Sequence, residues 1–314
     1  MSGKQLRNRL VEMLIVLAGI SFISFGLTYL APGDPVRSMF AATGSMPSLE
    51  VLEKTREAMG LNQPFLVQYW NWLRGCLSGD FGTSYSMNRP VAELLLNRLG
   101  PTLQLAFVSL AMMVAVAVPF GMLAAVKQNK ITDYLIRSCT FFGISIPNFW
   151  VGLVLLYVVA VKLRLLSVVS AGGGAERLIL PAVTLAFAMA AKYTRQVRAA
   201  VLEELNQDYV IGARARGLKE HTVLWKHVFP NALLPLVTLL GLSLGSLLGG
   251  TAVVEVIFSY QGLGNLAVSA IKAYDYPLIQ AYVLWTALIY MVINILVDIS
   301  YSYLDPRIRK RSSI

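Results

Sequence analysis

Few side chains in this chain could carry out a reaction. His221 and His227 share one polar segment, and Cys76 and Cys139 lie far from them and from each other. That spacing suits no zinc or redox motif. The sequence holds no HExxH, no GxSxG and no GxxxxGK[ST]. It therefore lacks the usual signatures of metal-assisted hydrolysis, of a nucleophile elbow and of a phosphate-cradling loop. The histidines read as a solvated or packing pair and the cysteines as semi-buried thiols. Glu255 and Asp298 stand next to long apolar stretches. A carboxylate there is either at an interface or functional, because burying it in lipid is costly. The richest chemistry is that of recognition. Asp208–Pro235 (DYVIGARARGLKEHTVLWKHVFPNALLP) is basic and helix-prone, and Ala213–Gly217 (ARARG) sets small residues beside guanidinium groups. Arg214 and Arg216 can pair with acidic groups, Ala213 and Ala215 leave the backbone approachable, and Gly217 ends or bends the helix.

The elements that must position this island are apolar. Of 314 residues, 56% are hydrophobic and only 14% charged, with a mean hydropathy of +0.61. Soluble domains carry about 25% charged residues. The net charge of +10 comes from short clusters between apolar runs, the pattern of cytoplasmic loops and not of a nucleic-acid-binding face. A spanning helix needs about 20 mainly apolar residues. Residues 13–33, 99–126, 138–161 and 276–297 are free of charge, and 227–254 lacks Lys, Arg, Asp and Glu. A sixth, weaker span covers 178–191, where Lys192 can snorkel and the helical pattern runs on through Arg198. The expectation is an all-α polytopic membrane protein with six transmembrane helices in one domain, 1–314. The first span is too long for a signal peptide. With both termini inside, 17 of the 27 Lys and Arg fall on the inner side, as the positive-inside rule requires.

Two connections are long: an outer loop, 31–100, and an inner loop, 200–231. In the outer loop, Pro47 and Ser48 open a short helix that Gly60 closes, with Leu49, Leu52 and Met59 at helical spacing. Phe65, Tyr69, Trp70 and Trp72 suit a water–lipid boundary, and Pro90 opens a helix leading into the second span. The loop reads as a cap over the outer mouth. In the fifth span Gly241, Gly245 and Gly249 share one helix face. That permits close helix contact, either as packing or, with Gly250 and Glu255, as part of a mobile pathway or gate.

The island resembles the EAA loop of bacterial ABC importer permeases, in the version found in the dipeptide/oligopeptide/nickel family, DYxxxARAxG followed by NALxP. Gly212 and Ala213 fall on the motif's two alanines and Gly217 on its glycine, while Asn231, Ala232, Leu233 and Pro235 match the tail. Ile211 stands where other importers place a glutamate, and Pro230 where relatives often have a basic residue. Further matches run in order along the chain: APGDP at 31–35, GLNQPFLVQYWNWL at 60–73, GDFGTSY with RPV up to Val91, SIPNFW at 145–150, ILPA at 179–182, GGTAVVEVIFSYQGLG at 249–264, DYPLIQ at 275–280 and LDPRIR at 304–309. Gln261 replaces the usual proline of PGLG. The resemblance implies a type I ABC importer transmembrane domain in a bacterial inner membrane. It also implies a second permease subunit, two cytoplasmic ATP-binding subunits and an external substrate-binding protein. ATP and Mg would act on the ATPases, with no cofactor in this chain and no enzyme activity of its own. Asp208, Tyr209, Gly212, Ala213, Arg214, Ala215 and Gly217 would form the ATPase-coupling helix.

The connection at 162–178 is short and resembles that of nickel-type permeases. It points to nickel or a nickel chelate as cargo, with dipeptides or oligopeptides as the alternative. A stand-alone channel or secondary transporter is the alternative from another class; it requires transport by this chain without ATPases.

Overall fold

A computed structural model of the chain describes residues 3–42, 44, 47–166 and 176–304. Among these residues the regular structure is helical, apart from an isolated bridge between Thr83 and Pro90. In chain order the helices are α1 (Gly3–Leu30), α2 (Pro35–Ala42), α3 (Leu49–Ala58), α4 (Phe65–Leu77), α5 (Val91–Val126), α6 (Ile131–Ser145) and α7 (Asn148–Leu155), which widens into a π-helical turn, Leu156–Lys162. They continue as α8 (Glu176–Leu205), α9 (Asp208–Ala215), α10 (Glu220–Val223, followed by a π-helical Leu224–Val228), α11 (Phe229–Gly250), α12 (Ala252–Ile257), α13 (Leu263–Lys272) and α14 (Tyr276–Leu304).

Local chemistry sets most boundaries. Pro35 opens α2, where a missing N–H is harmless, and the Asp34 carboxylate accepts the Val36 N–H at 3.1 Å. Ser48 precedes α3, and Gly60, with φ of +67°, follows it, as the sequence predicts. Pro90 directly precedes α5.

One expected element differs. The uncharged stretch 138–161 is not a straight span: it turns by 96° between α6 and α7. Pro147 is the cause. Its ring forces the residue before it out of the helical region, and Ile146 is extended, with φ −91° and ψ 127°. Among the described residues, three helices are long and apolar enough to cross a membrane alone, Arg7–Leu30, Val91–Val126 and Tyr276–Ser300, and the bent pair would make a fourth. At the expected fourth and fifth spans stand α8, of 30 residues, and α11, of 22. The basic cluster Arg307, Arg309, Lys310 and Arg311, most of LDPRIR and the centre of the 162–178 connection lie outside the described residues.

The chain forms two compact units, one of Leu103–Tyr260 with Ile293–Ile314 and one of Ser2–Thr102 with Gln261–Val292. In the first, α8 is the hub. A Cβ added to Gly121 of α5 would lie 2.6 Å from the Val197 Cβ and 2.8 Å from the Thr194 carbonyl oxygen. One added to Gly143 of α6 would lie 2.8 Å from the Ala191 Cβ. Both helices therefore touch α8 almost backbone to backbone.

The second unit is held by rings and polar caps. Phe22, Phe25 and Tyr29 of α1 meet Phe65, Tyr69 and Trp72 of α4, with centroids 5.1 to 5.6 Å apart. Phe65, Tyr69 and Trp72 are thus half-buried against α1, while Trp70 is exposed. Helical spacing explains the split, since i, i+4 and i+7 share a face. The cysteines split too: Cys76 is half-buried, but Cys139 is exposed and not semi-buried, on a face of α6 turned outward.

Candidate functional site

The inner loop folds back on the first unit through a buried aliphatic cluster. Val197 and Val201 of α8, Val210 and Ala213 of α9, Val223 of α10, Val228, and Ala232 and Leu236 of α11 pack with Met122 and Ala125 of α5. Val210 and Ala213 are three apart and so face the same way. Ala213 is fully buried. It does not leave the backbone approachable, as its small side chain suggests; its methyl is the point at which α9 seats on the core.

The opposite face of α9 is open. An added Cβ on Gly212 would meet no atom within 4 Å. Asp208, Ile211, Ala215 and Arg216 are exposed beside it, as is Leu218 beyond the helix end. This makes a low surface of small residues flanked by two aliphatic side chains.

Gly217 closes the helix. With φ of +77°, it takes the left-handed conformation that a glycine adopts without strain. Its N–H reaches the Arg214 carbonyl at 2.9 Å, and the Leu218 N–H reaches the Ala213 carbonyl at 3.4 Å. This pair of bonds is a Schellman cap.

The Arg214 guanidinium grips Glu220 in the same chain, with Nε to Oε2 at 3.1 Å and Nη2 to Oε1 at 2.5 Å. Its expected acidic partner is thus internal. The guanidinium holds the Glu220 carboxyl below its ordinary range, and the pair ties α9 to α10. Arg216 donates from Nε to the Gly212 carbonyl at 3.3 Å. Tyr209 lies at the other end of α9. Its hydroxyl donates to Glu204 at the end of α8 (2.5 Å) and accepts from Asn231 Nδ2 of α11 (3.2 Å).

Of the pathway candidates, Gly249 and Gly250 end α11, and their surroundings lie outside the described residues. Glu255 is fully buried in α12, so it does not sit at a water interface. Its Oε1 accepts the Thr251 hydroxyl at 3.1 Å. Gly241 serves packing: an added Cβ would lie 2.0 Å from Val297 Cγ2. Among the described residues no three His, Cys, Asp or Glu side chains converge as they would on a metal ion.

The family model for the inner membrane component of binding-protein-dependent transport systems matches residues 117–310, and the model for the N-terminal part of such components matches residues 4–106. The chain belongs to this family of ABC importer permeases. The permease is 39% identical over 313 residues to the metal-staphylopine import permease CntB of Staphylococcus aureus, covering 98% of each chain. It is 41% identical over 315 residues to the oligopeptide permease AppB of Bacillus subtilis, covering 96% of this chain and 98% of that one. With the glutathione permease GsiC of Escherichia coli it shares 38% over 302 residues, 96% and 97% of the two chains. Its fold matches that of the methionine ABC transporter MetNI in an inward-facing crystal form, with a TM-score of 0.57 and 20% identity, covering 68% of this chain and 96% of the other. The permease thus has an all-α type I importer membrane domain, a transport component of the inner membrane.

Two buried carboxylates in the permease escaped sequence reasoning. Asp133 of α6 is fully buried and takes Arg198 of α8 bidentately, at 2.7 and 2.8 Å, while accepting the Asn129 N–H at 2.9 Å. Asp275, also fully buried, accepts the Ser84 hydroxyl (2.5 Å), the Ser86 hydroxyl (2.7 Å) and the Ser86 N–H (3.0 Å). GDFGTSY and DYPLIQ, nearly 200 residues apart, are one structural motif. The signal in each case was a single carboxylate bordering an apolar helix. At the variant PGLG position, Gln261 Oε1 accepts from Arg98 at 2.9 Å, a bond that a proline cannot make.

Proposed function

We propose that this permease forms, with a second permease subunit, the pathway of an ATP-driven importer, and that α9 is its coupling helix. The observation that carries this reading is the two-sided build of α9. Val210 and Ala213 are sunk in the core, while Ile211, Gly212, Ala215 and Leu218 present a low, open surface at the other side. A rigid element with a shallow face suits docking in a cleft of a cytoplasmic ATP-binding subunit. ATP and Mg act there, and closure of two such subunits rocks the permease. Six spans with both termini inside place the loop 200–231 in the cytoplasm and the loop 31–100 outside, under a substrate-binding protein. Gly217→Asp places a Cβ and a charge at the left-handed cap. In proteoliposomes containing all subunits, uptake is expected to fall about tenfold, the scale of strain at a left-handed non-glycine residue, while ATP hydrolysis and co-purification persist. Normal uptake would overturn the reading, as would uptake by this chain without ATPases, which a self-sufficient channel or secondary transporter predicts.

For cargo we propose nickel or a nickel chelate. The short connection at 162–178 and the 39% identity to a metal-staphylopine permease support it. The 41% identity to an oligopeptide permease favours peptides as the second reading. Uptake of labelled nickel, with and without chelator and in competition with dipeptides, separates them.

A further inference from the structure

Tyr209 sits where three helices meet. Its phenolic hydroxyl has one proton to donate and lone pairs to accept with. The proton goes to Glu204 Oε2, on the last turn of α8, at 2.5 Å. A lone pair takes the Asn231 Nδ2–H, on the first turn of α11, at 3.2 Å. The same Nδ2 donates to the His227 carbonyl at 2.8 Å, in the π-helical turn that leads into α11. Burial, together with the bond to Glu204, pushes the hydroxyl up to about 12, so it remains a donor at any physiological pH. The residue is 38% exposed, but its hydroxyl is engaged on both sides within its own chain.

We infer that Tyr209 is a positioning residue, a latch through which the tilt of α9 is fixed against α8 and α11 together. Val210 and Ala213 seat α9 on the core, but aliphatic contacts are non-directional and leave the helix free to roll. The latch lies at the N-terminal end of α9, and the Arg214–Glu220 grip lies at the other end. With both made, a push on the open face moves α8 and α11 as one body. With the latch cut, α9 rolls and the push is lost between them. This rests on α9 being the coupling helix.

The test uses the complete importer in proteoliposomes and reads ATP hydrolysed per solute transported. Tyr209→Phe keeps the ring and removes the hydroxyl. It is expected to raise that ratio roughly tenfold, the scale of a hydrogen bond to a charged group, with subunit assembly intact. Asn231→Ala should act in the same direction, and the double variant should be no worse than the more severe single one, as for residues in one network. Glu204→Gln keeps an acceptor oxygen and should rescue coupling where Glu204→Ala does not; a residue needed only for folding would not show that split. A normal ratio in Tyr209→Phe, additive losses, or equal damage from Glu204→Gln and Glu204→Ala would each overturn the latch. If Tyr209→Phe fails to assemble, the two Glu204 variants decide alone. Gly217→Asp in the same preparation keeps the two ideas apart. If it uncouples while Tyr209→Phe does not, the latch falls and the coupling reading stands. If neither lowers uptake, the coupling reading falls.

Discussion

Asp133 and Asp275 are both sealed from water, and the two units of the permease compensate them in opposite ways. Asp133 meets a guanidinium, bidentately, from the neighbouring helix. Asp275 is held instead by neutral donors, two serine hydroxyls and a backbone N–H. A buried carboxylate must be paired or fully hydrogen-bonded, and each solution fits the structure around it. The ion pair fixes one helix to another, beside contacts so close that glycine is required at Gly143. The hydroxyl cage gathers a loop onto the start of α14. The first unit is therefore built as helices pressed on α8, and the second as helices and loops held by ring contacts, a buried aliphatic cluster and a few polar points.

The difference predicts unequal damage. Asp133→Ala leaves the part-buried Arg198 without its partner, and breaking a pair whose carboxylate is fully buried costs up to about 3–5 kcal/mol. Asp275→Ala leaves only neutral donors without a partner, at about 1–3 kcal/mol each, and the serine hydroxyls can turn elsewhere. Melting of the detergent-solubilised permease should fall further for Asp133→Ala. An equal or larger fall for Asp275→Ala would break the contrast. Asp133→Leu with Arg198→Leu should recover much of the loss, because an apolar pair leaves no orphaned charge.

A smaller contrast lies within α5. At Gly121 an added methyl would press on Val197 and on the backbone oxygen of Thr194, whereas at Gly100 it would meet no atom within 4 Å. Gly121→Ala should destabilise by about 1–3 kcal/mol, as overpacking does. Gly100→Ala should be neutral or stabilise by up to about 1 kcal/mol through helix propensity. Thermal melting of the two variants tests the claim that α5 meets α8 too closely at Gly121 to admit a methyl group.

Much of this was legible in the sequence, for reasons that can be named. Apolar runs announced α1, α5 and α14, and Pro47 with Ser48 and then Pro90 marked helix starts. The island's motif pointed to α9 and to its cap at Gly217. The corner at Ile146 was hidden because hydropathy does not register a bend, although Pro147 was in plain view. Ala213 was misread because composition cannot tell which face of a helix is buried. The two carboxylate clamps were invisible because each joins residues far apart in the chain. Arg214 was read as able to pair with an acidic group, but its acid, Glu220, went unnamed although it stood only six residues away.

The smallest expected effect concerns acid, and it separates two carboxylates that both lie below their ordinary range. Asp34 of the second unit is pushed up by burial, but Arg56 and the Val36 N–H outweigh that and lower it. Glu220 of the first unit is lowered mainly by its bond to Arg214. Asp34 is 18% exposed and Glu220 51%. Water and salt screen the second pair far more. A depressed folded-state pKa contributes stability that is full above the unfolded value, about 4 for Asp, and is lost as pH falls through the lower folded value. Asp34→Asn keeps a good helix cap but removes the charge. The wild type should therefore melt above Asp34→Asn at pH 7, by of the order of 1 kcal/mol, and the gap should close below about pH 4. Glu220→Gln should show a smaller gap that 0.5 M salt abolishes, by screening an exposed pair over roughly its Debye length. A gap for Asp34→Asn that stays constant down to about pH 3 would mean that the Arg56 pair does not hold the second unit. The contrast between a screened contact in the first and a sheltered one in the second would then be lost.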